Sequence, residues 1–363
     1  MNKQLSIYLD GLRFLASVAV FFAHVPGFMG GYLWQLGGGG HLAVVFFFVL
    51  SGFVISFVTS TKERDVMTYA VNRLARIYSV AGPAILLTIA SYYFIGMVDP
   101  DSFAVLKATL YEPLTTIASA AFFLNQSWRE VVFFTNGPYW SLGYEVLYYI
   151  FFGVVLYATG LRRIFFALLI LVAMGPSIAL YLPVWFLGWW SYRVAASSQM
   201  SLRIAQLLFW LSLSLFVLLP ATGLISSIDA ASMRLMNPHF NALINMNAKS
   251  FVSDYILAVL SAVNFVAFST LGRSRAIFGP MVANVIKKLS AHTFSIYLYH
   301  MPLLYAVTAM IPHKKYAVLN MLLCLVLTPL TIYGLSIHSE GKKANVRHYL
   351  YRLLRGYETP QSH

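Results

Sequence analysis

Charge is scarce in this chain. Of its 363 residues only 10% are Asp, Glu, Lys or Arg, while 59% are hydrophobic. A soluble domain has too little polar surface to cover that much apolar side chain. The composition therefore excludes a water-soluble globule and points to an all-α, polytopic membrane protein. Acidic residues are rarer still, 12 against 25 Lys and Arg, which leaves a formal charge of +13. In a membrane protein such an excess reads as cytoplasmic loops facing anionic lipid, so nucleic acid is not an expected partner. The single cysteine, Cys324, excludes an internal disulfide. No Cys/His group has zinc spacing, and no metal is expected. The chain also lacks internal repeats and low-complexity tracts. No cleavable signal peptide is expected, because Asp10 and Arg13 interrupt the first apolar run and no small-residue cleavage site follows it.

What is present is a succession of apolar stretches near 8–28, 41–60, 78–97, 138–159, 162–181, 183–196, 203–221, 251–271, 289–311 and 315–337. Each except the short sixth is long enough to cross about 30 Å of hydrocarbon. This predicts ten spans, with 103–125 as an interfacial segment. The positive-inside rule sets their orientation. With both termini in the cytoplasm, eighteen of the 25 basic residues fall on the inner side, six fall outside, and Arg13 lies in the membrane. Residues 1–340 then form the membrane domain. Residues 341–363 form a basic tail whose KKANVRHYLYRLLRG reads as an amphipathic helix on the cytoplasmic surface. The larger outer loops, 98–137 and 222–250, are too short to be separate domains.

Ionisable residues inside an apolar span are costly and mark sites or partners. In the first span, YLDGLRFLASVAVFFAH, Arg13 and His24 are eleven residues apart. That is close to three helical turns, so both fall on one face, roughly 16 Å apart along the axis and directed to the same interior space. His24, near the outer end, fits either an interfacial anchor or a general base that titrates near neutral pH. Arg13 fits either a snorkelling cation paired with Asp10 or an anion-binding group.

Further along, Gly37–Gly40 fits a flexible hairpin or a close backbone approach to substrate. His41 opens the second span from outside. Ser51 and Gly52 interrupt that span, through close helix packing or as a narrow passage. Arg73 and Arg76 share a helix face on the cytoplasmic side. They fit ordinary topology-setting charge or a phosphate clamp. Glu145 in the fourth span needs a partner, with Arg13, His24 and His41 as candidates, and Trp140, Ser141 and Tyr144 lie nearby. His300 lies mid-span, as a structural histidine or a site residue, and Pro302 frees the carbonyl at position 298.

Five blocks, in order, resemble the acyltransferase 3 family of bacterial integral-membrane acyltransferases. They are LDGLRFLA with an Arg and a His separated by ten residues, FFFVLSGFVIS, the Arg-x-x-Arg of NRLARIYS, YWSLGYE and SIYLYHMPLL. The resemblance implies a ten-span fold in the bacterial inner membrane. It also implies transfer of an acetyl or other short acyl group from acetyl-CoA to a hydroxyl of a surface glycan, such as an exopolysaccharide or lipopolysaccharide, or of its lipid-linked precursor. It makes the Arg13–His24 pair essential, assigns Arg73 and Arg76 to the CoA side, and matches Trp140, Ser141 and Glu145 to the family's Trp-Ser-Leu-x-x-Glu block. Two positions depart from the family pattern. Ser79 stands where proline is common, and the last span ends in HSEGKKA rather than a Glu-Lys-Pro-like sequence. The length leaves no room for the fused hydrolase-like domain of some relatives.

The expected mechanism has CoA phosphates held by Arg73 and Arg76 and the pantetheine arm entering past Arg13. His24 would activate the acceptor hydroxyl, or would carry the acetyl group itself. Arg13 would hold a phosphate or steady the oxyanion, Glu145 would orient His24 or balance Arg13, and His41, Ser141, Trp140 and His300 would line the acceptor side. The rival function is a transporter or flippase in which the buried Arg, His and Glu relay protons.

Overall fold

The computed structural model describes residues 1–108 and 110–355, without the side chains of His313 and Arg355. The elements are helical throughout, with no strand among the described residues. They are α1 (Lys3–Phe28), α2 (Gly40–Thr61), α3 (Val66–Val98), α4 (Pro100–Ala108), α5 (Pro113–Ala121), α6 (Trp140–Tyr157), α7 (Gly160–Ser197), α8 (Leu202–Leu218), α9 (Leu224–Leu235), α10 (Pro238–Leu243), α11 (Phe251–Ser274), α12 (Pro280–Ser290), α13 (Thr293–Met310), α14 (His313–Leu322), α15 (Thr328–His338) and α16 (Lys343–Arg355). Eight segments among the described residues are long and apolar enough to cross a membrane.

Ten spans were expected, and two differences separate that count from eight. Segments 162–181 and 183–196 belong to one element, α7, of 38 residues. At 1.5 Å per residue it would measure about 57 Å, nearly twice a hydrocarbon core. The helix breaks at Gly175 (φ 70°, ψ 176°), not at the predicted gap near residue 182. Glycine is required there twice over. The backbone is left-handed, and a Cβ would fall on the carbonyl oxygen of Ser127. Pro176 follows and cannot donate to the preceding turn. The second difference is α13, whose 18 residues include Thr, Ser, His, Pro and three Tyr, so it is less apolar than the eight. It nevertheless packs between α1, α3 and α15.

The bundle core lies where α2, α6, α7 and α11 meet, around fully buried Phe53, Tyr144, Tyr148, Tyr181, Trp185 and Phe265. α2 and α7 touch backbone to backbone. A Cβ on Gly52 would strike the Trp185 carbonyl, and one on Gly188 would strike the Val49 carbonyl. Of the two readings of Gly52, close helix packing is the one this contact supports.

At the start of α1, Asn2 caps the helix, its side chain accepting the Leu5 N–H at 2.7 Å. Pro302 inside α13 leaves the Leu298 carbonyl without a helical donor. The buried Asn136 side chain supplies one at 2.9 Å, and Ser91 donates to the Pro302 carbonyl at 2.7 Å. Within the stretch expected at the interface, α4 and α5 are the helices. In the tail, α16 packs against α3, and residues 356–363 lie outside the described residues.

Candidate active site

Two hollows open at opposite ends of the bundle. The first, of about 720 Å³, is lined by Arg13, Arg73 and Arg76 together with Ser51, Ser141 and Glu145. The second, of about 1110 Å³, is lined by His24 and His41, by Gly37, Gly38 and Gly40, and by Asn125, Gln126, Glu130, Trp140 and Asn247. We refer to them as the guanidinium chamber and the imidazole chamber. They share Val44 and Tyr297. Tyr297 is held across the boundary by Ser141 at 2.7 Å, and its hydroxyl donates to the Pro138 carbonyl at 2.9 Å. The sequence directs Arg13 and His24 to one space. The structure instead gives them a chamber each, on either side of this wall.

In the guanidinium chamber the three arginines differ. Arg13 pairs with Asp10 at 3.1 Å, one turn away. Arg73 pairs with the buried Glu63 at 2.7 Å and lies over the rings of Tyr69 and Tyr149. Arg76 makes no ion pair among the described residues, although it lies within electrostatic range of Glu145 and Glu340. Lys343, at the start of α16, is within range of Arg76, Arg13 and Arg73. An uncommitted guanidinium among other cations is suited to a phosphate or pyrophosphate.

Glu145 meets none of its three predicted partners. Its Oε1 accepts from the Ser51 hydroxyl at 3.1 Å and from the Tyr149 hydroxyl, and Trp185 donates to Ser51 at 3.2 Å. Tyr149 is four residues on, the helical spacing that places two side chains on one face, so this contact was available from the sequence. The Ser51 contact, from another helix, was not.

In the imidazole chamber the tautomers follow from the partners. His24 Nδ1 is 2.8 Å from the Val20 carbonyl oxygen, which can only accept, so Nδ1 carries the proton. The neutral ring therefore keeps its lone pair on Nε2, the arrangement a base or nucleophile needs.

A family model described as an acyltransferase domain matches residues 6–339. The chain belongs to the acyltransferase 3 family. No curated protein and no solved structure matches it. Together with the eight long apolar helices, membership makes the protein a membrane acyltransferase.

Two further contacts complete the candidate site. His300 Nε2 lies 3.2 Å from His24 Nδ1, and its own Nδ1 donates to the Ile296 carbonyl at 3.0 Å. His300 is fully buried and stands behind His24, so it does not line the chamber. His41 Nε2 is 2.8 Å from Asp254 Oδ2. Asp254 lies in the first turn of α11, 1% exposed, and Tyr181 donates to the same oxygen. A carboxylate beside the apolar run YILAVL was the signal available. Nothing in the sequence named His41, 213 residues away, as its partner.

Proposed function

We propose that this acyltransferase moves an acetyl group from cytoplasmic acetyl-CoA to a hydroxyl of an extracytoplasmic glycan or lipid-linked sugar, across the bacterial inner membrane. The observation that carries the reading is the segregation of chemistry between two adjoining chambers. One gathers guanidinium groups and the other gathers imidazoles, amides and an indole. The donor's phosphates are strongly anionic and belong with arginine, whereas a sugar is neutral, rich in hydroxyls and stacks on aromatic rings. A thin pantetheine arm passing Val44 and Tyr297 would bring the thioester to His24. There His24 Nε2 accepts either the acceptor's hydroxyl proton or, transiently, the acetyl group.

This reading fixes the topology. The guanidinium chamber faces the cytoplasm and both termini lie there. Counting the two arms of α7 separately and adding α13 brings the eight long helices to ten crossings. Cysteines placed at Lys62 and Trp34 in a Cys324→Ser background test the orientation. A membrane-impermeant maleimide added to intact cells reacts at Trp34 alone.

The functional test is mass spectrometry of surface glycans from cells with wild-type protein and with His24→Ala. Wild-type glycans carry additional mass corresponding to acetyl groups, and the variant's do not. Purified protein given radiolabelled acetyl-CoA transfers label to a glycan or retains it. If glycans from His24→Ala cells keep their acetyl groups, the assignment of His24 is wrong. If no label moves from acetyl-CoA, the donor is wrong.

A further inference from the structure

The imidazole chamber holds two histidines, and they are held differently. His24 Nδ1–H is directed to a backbone carbonyl, a neutral partner. His41 Nε2 is directed to the Asp254 carboxylate, which is almost fully buried and also receives the Tyr181 hydroxyl. The second oxygen, Asp254 Oδ1, is buried with no hydrogen-bond partner among the described residues. A carboxylate in low dielectric with one oxygen unpartnered gains strongly from a cation on its neighbour. It also fixes His41 with Nε2–H toward Asp254, which leaves Nδ1 to carry the lone pair. His41 is therefore the better of the two at holding a proton. His24, with a neutral partner, is the better suited to forming and releasing a bond at Nε2.

We propose that the two imidazoles divide the reaction. His24 takes the acetyl group, and His41, oriented by Asp254 and Tyr181, is the base for the acceptor hydroxyl. The proposal rests on His24 being the group that meets the thioester, and it selects the acyl-carrier form of that reading. In the first step the His24 Nε2 lone pair attacks the thioester carbonyl carbon. The C–S bond breaks, and CoA leaves as a thiolate that takes a proton from water on the donor side. His24 then carries acetyl on Nε2 and keeps its proton on Nδ1. In the second step the acceptor oxygen attacks the acetyl carbon while its proton passes to His41 Nδ1. The C–N bond breaks and its electron pair returns to His24 Nε2. His41 then releases its proton to water in the chamber. An acetylated His24 has no lone pair left to accept the hydroxyl proton, so a second base is needed, and His41 lines the same chamber. His41 is thus a catalytic residue, and Asp254 and Tyr181 are positioning residues.

The test is trapping in nanodiscs. Full-length protein is incubated with radiolabelled acetyl-CoA and no glycan, cleared of free donor, and followed as label is lost to water. His41→Gln and Asp254→Asn retain label at least tenfold longer than wild type, His24→Ala acquires none, and Tyr181→Phe is intermediate. Neutral hydroxylamine, which is itself nucleophilic and needs no enzymic base, strips the label from every variant that holds it. His41→Gln covers the possibility that burying Asn at 254 disturbs folding. Equal label lifetimes in His41→Gln and wild type overturn the division of labour, as does the absence of label in all variants. Glycan mass spectrometry separates this failure from that of the broader reading. If His24→Ala abolishes glycan acetylation while no label is ever trapped, His24 acts without carrying acetyl and only the present inference falls.

Discussion

His300 stands directly behind His24, with its Nε2 3.2 Å from His24 Nδ1. Because His300 Nδ1 donates to the Ile296 carbonyl, its Nε2 can only accept. The His24 N–H is therefore shared between the Val20 carbonyl and a second imidazole. In the proposed transfer the ring becomes cationic, and this second acceptor would then stabilise it. A hydrogen bond to a charged group contributes about 1.5–3 kcal/mol, or roughly 10–100-fold in rate. His300→Phe is expected to slow acetyl transfer by that factor while still eluting as a folded protein. His300→Gln, which keeps an acceptor, loses less. Equal rates for Phe and wild type would show that Val20 alone orients His24.

Arg73 and Arg76 share a helix face but not a role. Arg73→Ala strands Glu63, which is 3% exposed, and breaking such a buried pair costs about 3–5 kcal/mol. Adding Glu63→Gln should recover much of that loss. Arg76→Ala strands no ion-paired carboxylate. It should leave the unfolding midpoint in detergent unchanged and raise the KM for acetyl-CoA by roughly 10–100-fold, the worth of one charge-assisted contact. A KM untouched by Arg76→Ala removes it from donor binding.

Asn136 and Pro302 are coupled through one carbonyl. Asn136→Ala leaves the Leu298 oxygen buried without a donor, at a cost of about 1–3 kcal/mol. In a Pro302→Ala background the new backbone N–H bonds that oxygen, so the same Asn136→Ala change should cost less. A double-mutant cycle on thermal unfolding measures the difference. Strict additivity of the two changes would disprove the coupling.

Gly188 lies under the Val49 carbonyl, with no space for a methyl group. Gly188→Ala should destabilise the protein by about 1–3 kcal/mol, the usual cost of overpacking. Gly279, where an added Cβ meets nothing within 4 Å, serves as the tolerant control. Equal unfolding temperatures for Gly188→Ala and Gly279→Ala would refute the close crossing of α2 and α7.

Most of the helices could be read from runs of apolar residues, because a span's length is a property of a single stretch of chain. The polar groups of α1 could be read for the same reason. Contacts between distant stretches could not. Arg13 and His24 lie on the same helix, yet the wall of Val44 and Tyr297 that separates their surroundings comes from α2 and α13. Glu145 was assigned charged partners because charge attracts charge, whereas it is satisfied by two hydroxyls, one from its own helix and one from α2. Asp254 lies in the first turn of a helix that starts where the apolar run begins, but its partner His41 comes from α2 and could not be read from that run. The break in α7 falls at Gly175 because the connecting segment at Ser127 comes too close for any side chain. That closeness is invisible until the segment is in place.

Val44 and the phenol of Tyr297 separate two hollows that would otherwise merge into a single passage through the bundle. A membrane that holds an ion gradient tolerates no standing column of water, so a ligand arm threaded past these two side chains would have to act as its own stopper, and the passage would have to reseal once the arm withdrew. Through the Ser141–Tyr297 contact, ligand passage and the tightness of the membrane would rest on the same side chain.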